Sequence, residues 1–491
     1  MEINSEFRIK NSELKVNLCI CQRLRKKQGV TMEQRVYELI DSYRDAYTAT
    51  LQRWIRIPSV RGKAEAGAPF GRELRNMLDT AMADAREMGF EVRDFDGYAC
   101  DVTLGDAEEK IAVLGHLDVV PVGDGWTKPP FEALIENGRM YGRGTNDDKG
   151  PALASLFAMK AIREAGIPLK KGIRLILGCD EEEGWEDMAY YGAHEKIPDV
   201  GFSPDASFPL INTEKGMLCL ELRAPEAKAG LKILELSTGD RINVIPGECR
   251  ALVEGGADIA EKVSAYAEKT GLPYTAEVTG KGVWITATGI PGHSAYPEGK
   301  RNAIGMMLLL LKALGAEGPV AVLADAVGTE HDGKSLGCAC RDDVSEELTC
   351  NMGILKLENG SWYGTLDMRC PVTADQEKLK EAAAASLKGF DVNAAVQKPP
   401  HHVPAEGELV TSLLAAYEEE TGLEGKPMST GGGTYAKVLK QGVAFGALFP
   451  DEEDLAHQAD EYEDIDRLML AMKIYDNALI RLTAEPMHNE K

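Results

Sequence analysis

The spacing of apolar residues predicts the first structural elements of the chain. Val36, Leu39, Ile40 and Tyr43 recur at helical intervals, which predicts a helix over residues 32–54. A second helix is expected at about 73–88, and the apolar or small run 111–114 predicts a buried strand. The strand gives way to a loop at His116, and the ends of such strands are where open α/β sheets build their sites.

The next segment combines a turn, a helix and a second buried strand. Asn137-Gly138 is a strong two-residue hairpin signal, and a helix with one apolar face follows Asp147. The buried strand 173–177 runs into four consecutive carboxylates at 180–183. Neighbouring carboxylates raise one another's pKa unless a cation or solvent relieves them, so this run is either a solvated loop or part of a catalytic site.

From about residue 214 the pattern changes to paired strands. Segments 216–224 and 282–290 read as strands, 354–369 reads as a hairpin turning at Asn359-Gly360, and two helices accompany them. An inserted α+β domain is therefore expected. The α/β character then returns with a helix at 408–421, a strand at 443–449 and a closing helix to 483. The predicted divisions are a tail at 1–31, an α/β part at 32–213, an inserted domain at 214–400 and a second α/β part at 401–491.

Composition narrows the class of protein. The 491 residues include 55 basic and 79 acidic ones, a net charge of −24, which argues against a nucleic-acid or anionic-membrane surface. The ten cysteines contain no CxxC pair. The CxC pairs at 19/21 and 338/340 could hold a metal, but reduced thiols in a reducing, cytoplasmic compartment are the preferred interpretation.

The first 31 residues differ from the rest in being polar and basic. They lack the apolar run of a signal peptide, and no window of eighteen apolar residues exists to span a membrane. We expect either that Met32 is the natural start or that the tail is disordered.

Polar side chains gather at the predicted loop ends of the α/β part. They are His116, Asp147, Glu182, Asp205 and His457. Two imidazoles and three carboxylates suit two divalent ions bridged by a carboxylate, with zinc preferred and manganese or cobalt as alternatives. Because the five come from different loops, their spacing alone says little.

Five motifs in order resemble those of a known enzyme family. They are GHLDVVP at 115–121, GRGTNDDKGP at 142–151, GCDEEEGW at 178–185, FSPDA at 202–206 and HQADEY at 457–462. The chain is similar to the co-catalytic zinc metallopeptidases, which include aminoacylases, desuccinylases and dipeptidases, and it looks most like the bacterial PepV-type, carnosinase-like dipeptidases. The resemblance implies a zinc-peptidase-like catalytic domain with a mixed sheet flanked by helices, interrupted by an α+β lid domain.

The resemblance also implies roles for individual residues. Asp147 would bridge both metals, His116 and Asp205 would complete one ion, and Glu182 and His457 the other. Asp118 would be the carboxylate that fixes the tautomer of His116, and Glu181 the general base. Family members usually have a cis peptide after the bridging aspartate, here between residues 147 and 148.

Four further residues resemble substrate-contacting positions of the family. His293, in GIPGHSAYPEGKRNA, would help stabilise the oxyanion. Asn243, Arg369 and Gly433 match positions that grip the substrate's C-terminal carboxylate, a task that suits an arginine fork. Arg369 could instead be a strand-surface cation.

The expected function is therefore hydrolysis of unblocked dipeptides by a monomer that uses two divalent metal ions. An N-acyl-amino-acid deacylase with the same metals and base is the alternative. A non-catalytic metal- or peptide-binding relative is a third reading, against which the presence of Glu181 argues, because a binding protein needs no base.

Overall fold

The computed structural model describes residues 32–227 and 229–485. These residues form two compact units: the first runs to Lys196 and resumes at Asp454, and the second covers Ile197–Glu453. The expectations for the tail 1–31, including the Cys19/Cys21 pair, lie outside the described residues. Each cysteine within the described ranges is a free thiol.

The helices and strands are numbered in chain order. The helices are α1 Met32–Ser42, α2 Arg44–Ile55, α3 Arg72–Glu87, α4 Lys149–Ala165, α5 Glu186–His194, α6 Ala257–Thr270, α7 Ala303–Ala313, α8 Pro319–Ala326, α9 Gln376–Ser386, α10 Glu408–Thr421 and α11 Ile465–Thr483, with a 3₁₀ turn at Tyr435–Val438. The strands are β1 Glu91–Phe95, β2 Ala99–Leu104, β3 Lys110–His116, β4 Leu134–Glu136, β5 Arg139–Tyr141, β6 Gly172–Gly178, β7 Val200–Ser203, β8 Ala206–Ser207, β9 Ile211–Glu214, β10 Gly216–Pro225, β11 Ile233–Thr238, β12 Val244–Ile245, β13 Glu248–Val253, β14 Tyr274–Thr279, β15 Gly282–Thr288, β16 Gly292–His293, β17 Arg341–Asp342, β18 Glu346–Glu347, β19 Thr349–Glu358, β20 Ser361–Cys370, β21 Asp391–Lys398, β22 His401–His402, β23 Met428–Thr430, β24 Gln441–Ala444, β25 Ala447–Leu448 and β26 Tyr462–Asp464.

The first unit contains a mixed sheet in the order β1-β2-β6-β3. Strand β2 is antiparallel to β1 and β6, whereas β3 runs parallel to β6 with His116 opposite Gly178. Helices α3 and α5 contact β1 and β2, while α4 and α11 contact β3 and β6. Both β3 and β6 are buried along nearly their whole length, as expected of strands covered by helices.

A small sheet brings the end of the chain back to its first third. Strand β26 pairs antiparallel with β5, and β5 pairs with β4. The β4–β5 turn confirms the predicted hairpin, because Asn137 and Gly138 have φ of 53° and 83°, the two positive values of a type I′ turn. The pairing of β26 holds the segment that precedes it beside the loop that follows β5.

The second unit has an eight-stranded antiparallel sheet in the order β14-β15-β13-β11-β19-β20-β10-β21. Its core is formed with helices α6 to α9. The predicted turn of the β19–β20 hairpin is confirmed by φ of 52° at Asn359 and 74° at Gly360. These strands lie between Gly216 and Lys398, inside the predicted insertion 214–400. The predicted domain boundaries at 213/214 and 400/401 stay a prediction. The two compact units divide after Lys196 and after Glu453 instead.

The second unit also holds a smaller group of strands. Strand β7 pairs parallel with β24, β24 pairs with β9, and β9 also pairs with β22 and β23. Farther along the same segments, β8 pairs parallel with β25. Asp205 lies between β7 and β8 and is therefore held by strand pairs on both sides.

Two predicted elements are broken in the structure. The helix at 32–54 is two helices, because the N–H of Tyr43 bonds to the carbonyls of both Leu39 and Ile40 and locally tightens the turn. The predicted strand at 443–449 ends at Ala444 and resumes at Ala447. Between them Gly446 has φ 78°, and a Cβ there would lie 2.3 Å from the Phe208 ring, so the backbone leaves the strand where only glycine fits.

Within the described residues no helix is both long enough and apolar enough to cross a membrane.

Candidate active site

His116 is the last residue of β3 and is fully buried. Its Nδ1 lies 3.0 Å from the backbone carbonyl oxygen of Asp118 and 3.4 Å from that residue's carboxylate. Because a carbonyl oxygen can only accept, Nδ1 carries a proton, and Nε2 is the ring nitrogen left to bind a metal ion. Nε2 lies 2.9 Å from Oδ1 of Asp147. The tautomer of His116 is thus the one a metal ligand needs, and the carbonyl of Asp118 is the nearer acceptor that fixes it.

Asp147 presents its two carboxylate oxygens to two different imidazoles. Oδ1 lies 2.9 Å from Nε2 of His116, and Oδ2 lies 2.9 Å from Nε2 of His457. Burial opposes ionisation of Asp147, but contacts with both histidines lower its pKa. The predicted cis peptide between Asp147 and Asp148 is confirmed. One carboxylate facing two nitrogen donors is the arrangement expected of a ligand that bridges two cations.

Glu182 and His457 complete this cluster in the first unit. Nε2 of His457 lies 3.0 Å from Oε2 of Glu182. Burial and the negative charge of Asp147 raise the pKa of Glu182 to about 7. Although desolvation works against the charged imidazole, the two carboxylates raise the pKa of His457 to about 11. The carboxylates therefore favour positive charge at this position, which a bound divalent cation also supplies.

The residues of the acidic run that follows β6 have different hydrogen-bond partners. Asp180 pairs with Arg61, whose guanidinium also lies 3.2 Å from Glu186. The carboxylate of Asp118 accepts the backbone N–H groups of Glu181 at 3.2 Å and Glu182 at 3.0 Å. The run is therefore a structured turn, and Asp118 anchors the backbone of the predicted base and of the adjacent ligand.

Glu461 is a site residue that was not predicted from the sequence. Its Oε1 accepts the backbone N–H groups of Gly144 at 2.9 Å and Asn146 at 3.1 Å, and its Oε2 accepts from Arg143 at 2.6 Å. Burial and the charge of Asp147 raise its pKa to about 7, despite the opposing effect of Arg143. Its place four residues after His457, within HQADEY, was the available signal. This carboxylate holds the loop that carries Asp147.

Lys149 is a second buried charge beside the cluster that the sequence did not single out. It begins α4, and its Nζ donates to the backbone carbonyls of Trp54 at 3.1 Å and Ile57 at 2.8 Å. Burial lowers its pKa to about 7. The lysine of the DDKGP motif therefore connects the start of α4 to the end of α2.

The second unit carries the remaining predicted residues. Asp205 is half-buried in the connection between β7 and β8. His293 is exposed and pairs with Val244 in the β12–β16 ladder, which brings its Nε2 to 3.4 Å from the side-chain amide of Asn243. The N–H of Ala295 donates to Nδ1 of His293 at 3.2 Å, so the proton is on Nε2. This is the tautomer that can donate to an oxyanion.

Arg369 is buried rather than displayed on a strand surface. Its Nε and Nη2 donate to Asp367 at 3.2 and 2.9 Å, and its Nη1 donates to the carbonyl of Gly431 at 2.7 Å. Only 3% of the residue is exposed. The guanidinium is thus fixed against the glycine-rich loop that also contains the exposed Gly433.

Glu214 supports the same loop and was also missed. It is 1% exposed and accepts from the hydroxyl of Thr434 at 2.8 Å and from its N–H at 3.2 Å. Lys437 lies 3.8 Å away. Burial raises the pKa of Glu214 to about 7 and lowers that of Lys437, so desolvation outweighs their mutual attraction at this separation.

The donor set of the first unit fits divalent metal ions. One ligand atom each from Asp147, Glu182 and His457 lies within 4.8 Å of the others, and Nε2 of His116 faces the other oxygen of Asp147. Imidazole and carboxylate donors suit zinc, manganese or cobalt. The contacts around these donors orient them: the Asp118 carbonyl for His116, and Glu461 for the loop of Asp147.

Comparison with known sequences identifies the family. Residues 112–481 match the family described as Peptidase family M20/M25/M40. YtjP of Bacillus subtilis (strain 168) is 36% identical to this chain over 445 residues. The match covers 88% of this chain and 96% of YtjP, whose name assigns it provisionally as a dipeptidase. SAB1611c of Staphylococcus aureus (strain bovine RF122 / ET3-1), with the same provisional assignment, is 33% identical over 466 residues, covering 91% and 99%.

Solved structures support the same fold. Human carnosine dipeptidase 1 has a TM-score of 0.56 at 15% identity, covering 92% of this chain and 99% of that chain. Dug1p of Saccharomyces cerevisiae, described as a di-peptidase, has a TM-score of 0.58 at 16% identity, covering 91% and 98%. At these identities the likeness shows the fold alone. The predicted fold class, a mixed sheet flanked by helices with an inserted α+β domain, is confirmed, and the chain belongs to the M20/M25/M40 peptidase family and is a hydrolase that acts on peptide bonds.

Proposed function

We propose that this protein is a dipeptidase that hydrolyses unblocked dipeptides with two divalent metal ions, zinc being preferred. The observation that carries the proposal is the position of Asp147, whose two oxygens each lie 2.9 Å from a different imidazole. His116 and Asp205 would hold one ion with Asp147, and Glu182 and His457 the other. The substrate class is taken from the relatives YtjP and SAB1611c, whose names provisionally assign them as dipeptidases.

The bound ions would polarise the scissile carbonyl and lower the pKa of an attacking water. Glu181 would take the proton from that water as it adds to the carbonyl carbon, and would deliver a proton to the leaving amine when the C–N bond breaks. Support for this role comes from the two backbone N–H bonds by which Asp118 fixes the turn at Glu181 and Glu182.

His293 would donate from Nε2 to the oxygen that becomes negative. Its tautomer supports this role, because the N–H of Ala295 occupies Nδ1. Asn243 and Gly433 would bind the C-terminal carboxylate of the substrate. Arg369 would contribute positive charge and its remaining N–H donors from behind the glycine-rich loop, since Asp367 and Gly431 occupy the others.

The test is hydrolysis by chelator-treated protein of unblocked dipeptides, N-acetyl amino acids and tripeptides, with and without added zinc or manganese. Metal-restored cleavage confined to dipeptides is expected. Cleavage of only the acetylated compounds would assign a deacylase instead, and two bound metals without any turnover would assign a binding protein. Sedimentation of the same preparation checks the proposed monomer.

A further inference from the structure

A cleft of about 650 Å³ opens in the second unit. The residues that line it include the apolar Phe208, Ile211, Met428, Leu448 and Phe449 as well as polar and charged ones. Small-molecule sites in proteins commonly have volumes of about 300 to 1,000 Å³ and are lined mainly by apolar side chains with a few polar groups. The cleft therefore has the volume of a ligand site and a lining that combines apolar with polar residues, and none of the roles assigned above uses it.

The polar groups of the cleft connect it to both segments proposed to contact substrate. The hydroxyl of Tyr296 lies 2.8 Å from that of Thr430, and both residues line the cleft. Tyr296 is three residues after His293, and Thr430 precedes Gly431, whose carbonyl accepts from Arg369. The two segments are packed tightly, since a Cβ on Gly431 would lie 2.7 Å from that of Ala295.

The third wall of the cleft is close in sequence to the proposed metal ligand Asp205. Ser207 lines the cleft two residues after Asp205, and β8 holds it in place by pairing with β25. The cleft is thus bordered by the chain neighbours of the proposed ligand Asp205, the proposed oxyanion donor His293 and the proposed carboxylate-binding loop at Gly433. A substrate that contacts all three has this cleft beside it.

We propose that the cleft is the subsite for the side chain of the substrate's C-terminal residue and that it favours large apolar or aromatic side chains. This inference rests on the proposed function. In an amino acid the side chain and the carboxylate share one Cα, so a carboxylate held at the glycine-rich loop places its side chain within a few bond lengths of Thr430. The apolar walls then remove that side chain from water, which is the main favourable contribution of such a site.

The location assigns the C-terminal rather than the N-terminal residue. The proposed carboxylate contacts Arg369 and Gly433 lie at the loop that begins directly after Thr430 of the cleft wall, since the carbonyl of Gly431 accepts from Arg369. The other two neighbours of the cleft, His293 and Asp205, are proposed to act on the scissile carbonyl and the metal, so none of the proposed contacts beside the cleft is assigned to the N-terminal residue. Charged side chains at the wall, Glu424, Lys426 and Glu452, include both signs, so the cleft has no single-sign field that would select a charged residue.

The test measures kcat/KM of the metal-loaded full chain on two dipeptide series. In Ala-Gly, Ala-Ala, Ala-Leu and Ala-Phe the C-terminal side chain grows; in Gly-Ala, Leu-Ala and Phe-Ala the N-terminal one changes. We expect a rise of about tenfold or more along the first series, because a methylene in an apolar pocket changes kcat/KM by about 10 to 200-fold, and a flatter second series.

A cleft-filling variant locates the effect. Met428→Trp is expected to lower kcat/KM for Ala-Phe by about tenfold while that for Ala-Gly stays within about twofold, and the smaller Met428→Phe should give an intermediate loss. Val278→Trp, at a residue 51% exposed on β14, is the matched control and should change neither substrate.

The outcomes separate this inference from the proposed function. Metal-dependent cleavage of Ala-Gly and Ala-Phe at equal rates, or an equal loss for both in the two Met428 variants, would overturn the subsite and leave the dipeptidase intact. If no dipeptide in either series is hydrolysed with metal present, the dipeptidase proposal fails and the subsite fails with it.

Discussion

Glu461 and Arg143 form a buried ion pair in which Nη1 and Oε2 are 2.6 Å apart and the side chains are 0% and 1% exposed. The same carboxylate accepts the N–H groups of Gly144 and Asn146 through its other oxygen. Glu461 follows His457 by four residues, so one side chain ties the loop of one proposed ligand to the segment of another. Breaking a buried pair by removing one partner typically costs about 3 to 5 kcal/mol, since the other charge stays buried.

Glu461→Gln should therefore weaken both folding and metal binding. The amide cannot accept from Arg143 with its nitrogen, so we expect a loss of about 3 kcal/mol in the free energy of unfolding and a decrease of about 10 to 100-fold in metal affinity. Denaturant unfolding measures the free energy of unfolding, and metal titration measures the metal affinity. Glu136→Gln, which disrupts the more exposed pair with Lys128, is the control and should cost under about 1 kcal/mol. Unchanged metal affinity in Glu461→Gln would contradict the positioning role.

Glu181→Gln should lower kcat strongly without removing metal. Loss of a general base lowers kcat by about 10²- to 10⁴-fold, whereas the proposed metal ligands stay in place. Glu183→Gln is the matched control, because this neighbour in the same acidic run has a side chain 60% exposed. The measurements are kcat on Ala-Ala and metal content by elemental analysis. A Glu181→Gln enzyme with wild-type kcat would exclude Glu181 as the base.

Asp118→Asn distinguishes two roles of this residue. The backbone carbonyl that accepts from Nδ1 of His116 at 3.0 Å survives the change, but the carboxylate that accepts from both Glu181 and Glu182 does not. Since an asparagine side chain has one acceptor oxygen, we expect kcat to fall by at least about tenfold while metal affinity falls less. Kinetics and metal titration of the same preparation provide the comparison. A larger effect on metal affinity than on kcat would show that the carboxylate mainly serves His116.

Glu214 should make stability depend on pH. Burial raises its pKa to about 7 in the folded protein, above the value of about 4.5 for an exposed glutamate, so the folded state binds the extra proton between these values. The contribution of this group is fully present below about pH 4.5 and is lost as the pH rises through about 7, by up to about 3 kcal/mol. Urea unfolding of wild type and Glu214→Gln from pH 4.5 to 8 isolates the effect as the difference between the two curves.

The control for that experiment is Glu254→Gln, at a side chain 68% exposed beside Lys232. Its unfolding curve should run parallel to that of the wild type at every pH. Parallel curves for Glu214→Gln and wild type would contradict the pH dependence assigned to Glu214.

Local sequence was sufficient for most elements because their signals are short-range. The turns at Asn137-Gly138 and Asn359-Gly360 require positive φ at both residues, which these residue types tolerate, and the apolar runs before His116 and Asp180 read directly as buried strands. The break at Gly446 was missed because its cause is Phe208, which is distant in sequence.

The sequence by itself determined the family, the elements and the ligand candidates, because each candidate sits at the end of its own strand or loop within a recognisable motif. Tertiary structure alone decided which atoms meet: that Asp147 offers one oxygen to each of two histidines, that the carbonyl of Asp118 selects the tautomer of His116, and that Glu461 supports the loop of Asp147. The physical reason is that the interacting residues are far apart along the chain. Arg143 and Glu461 are 318 positions apart, and whether a charge is buried and paired depends on packing between such distant segments, which no local pattern encodes.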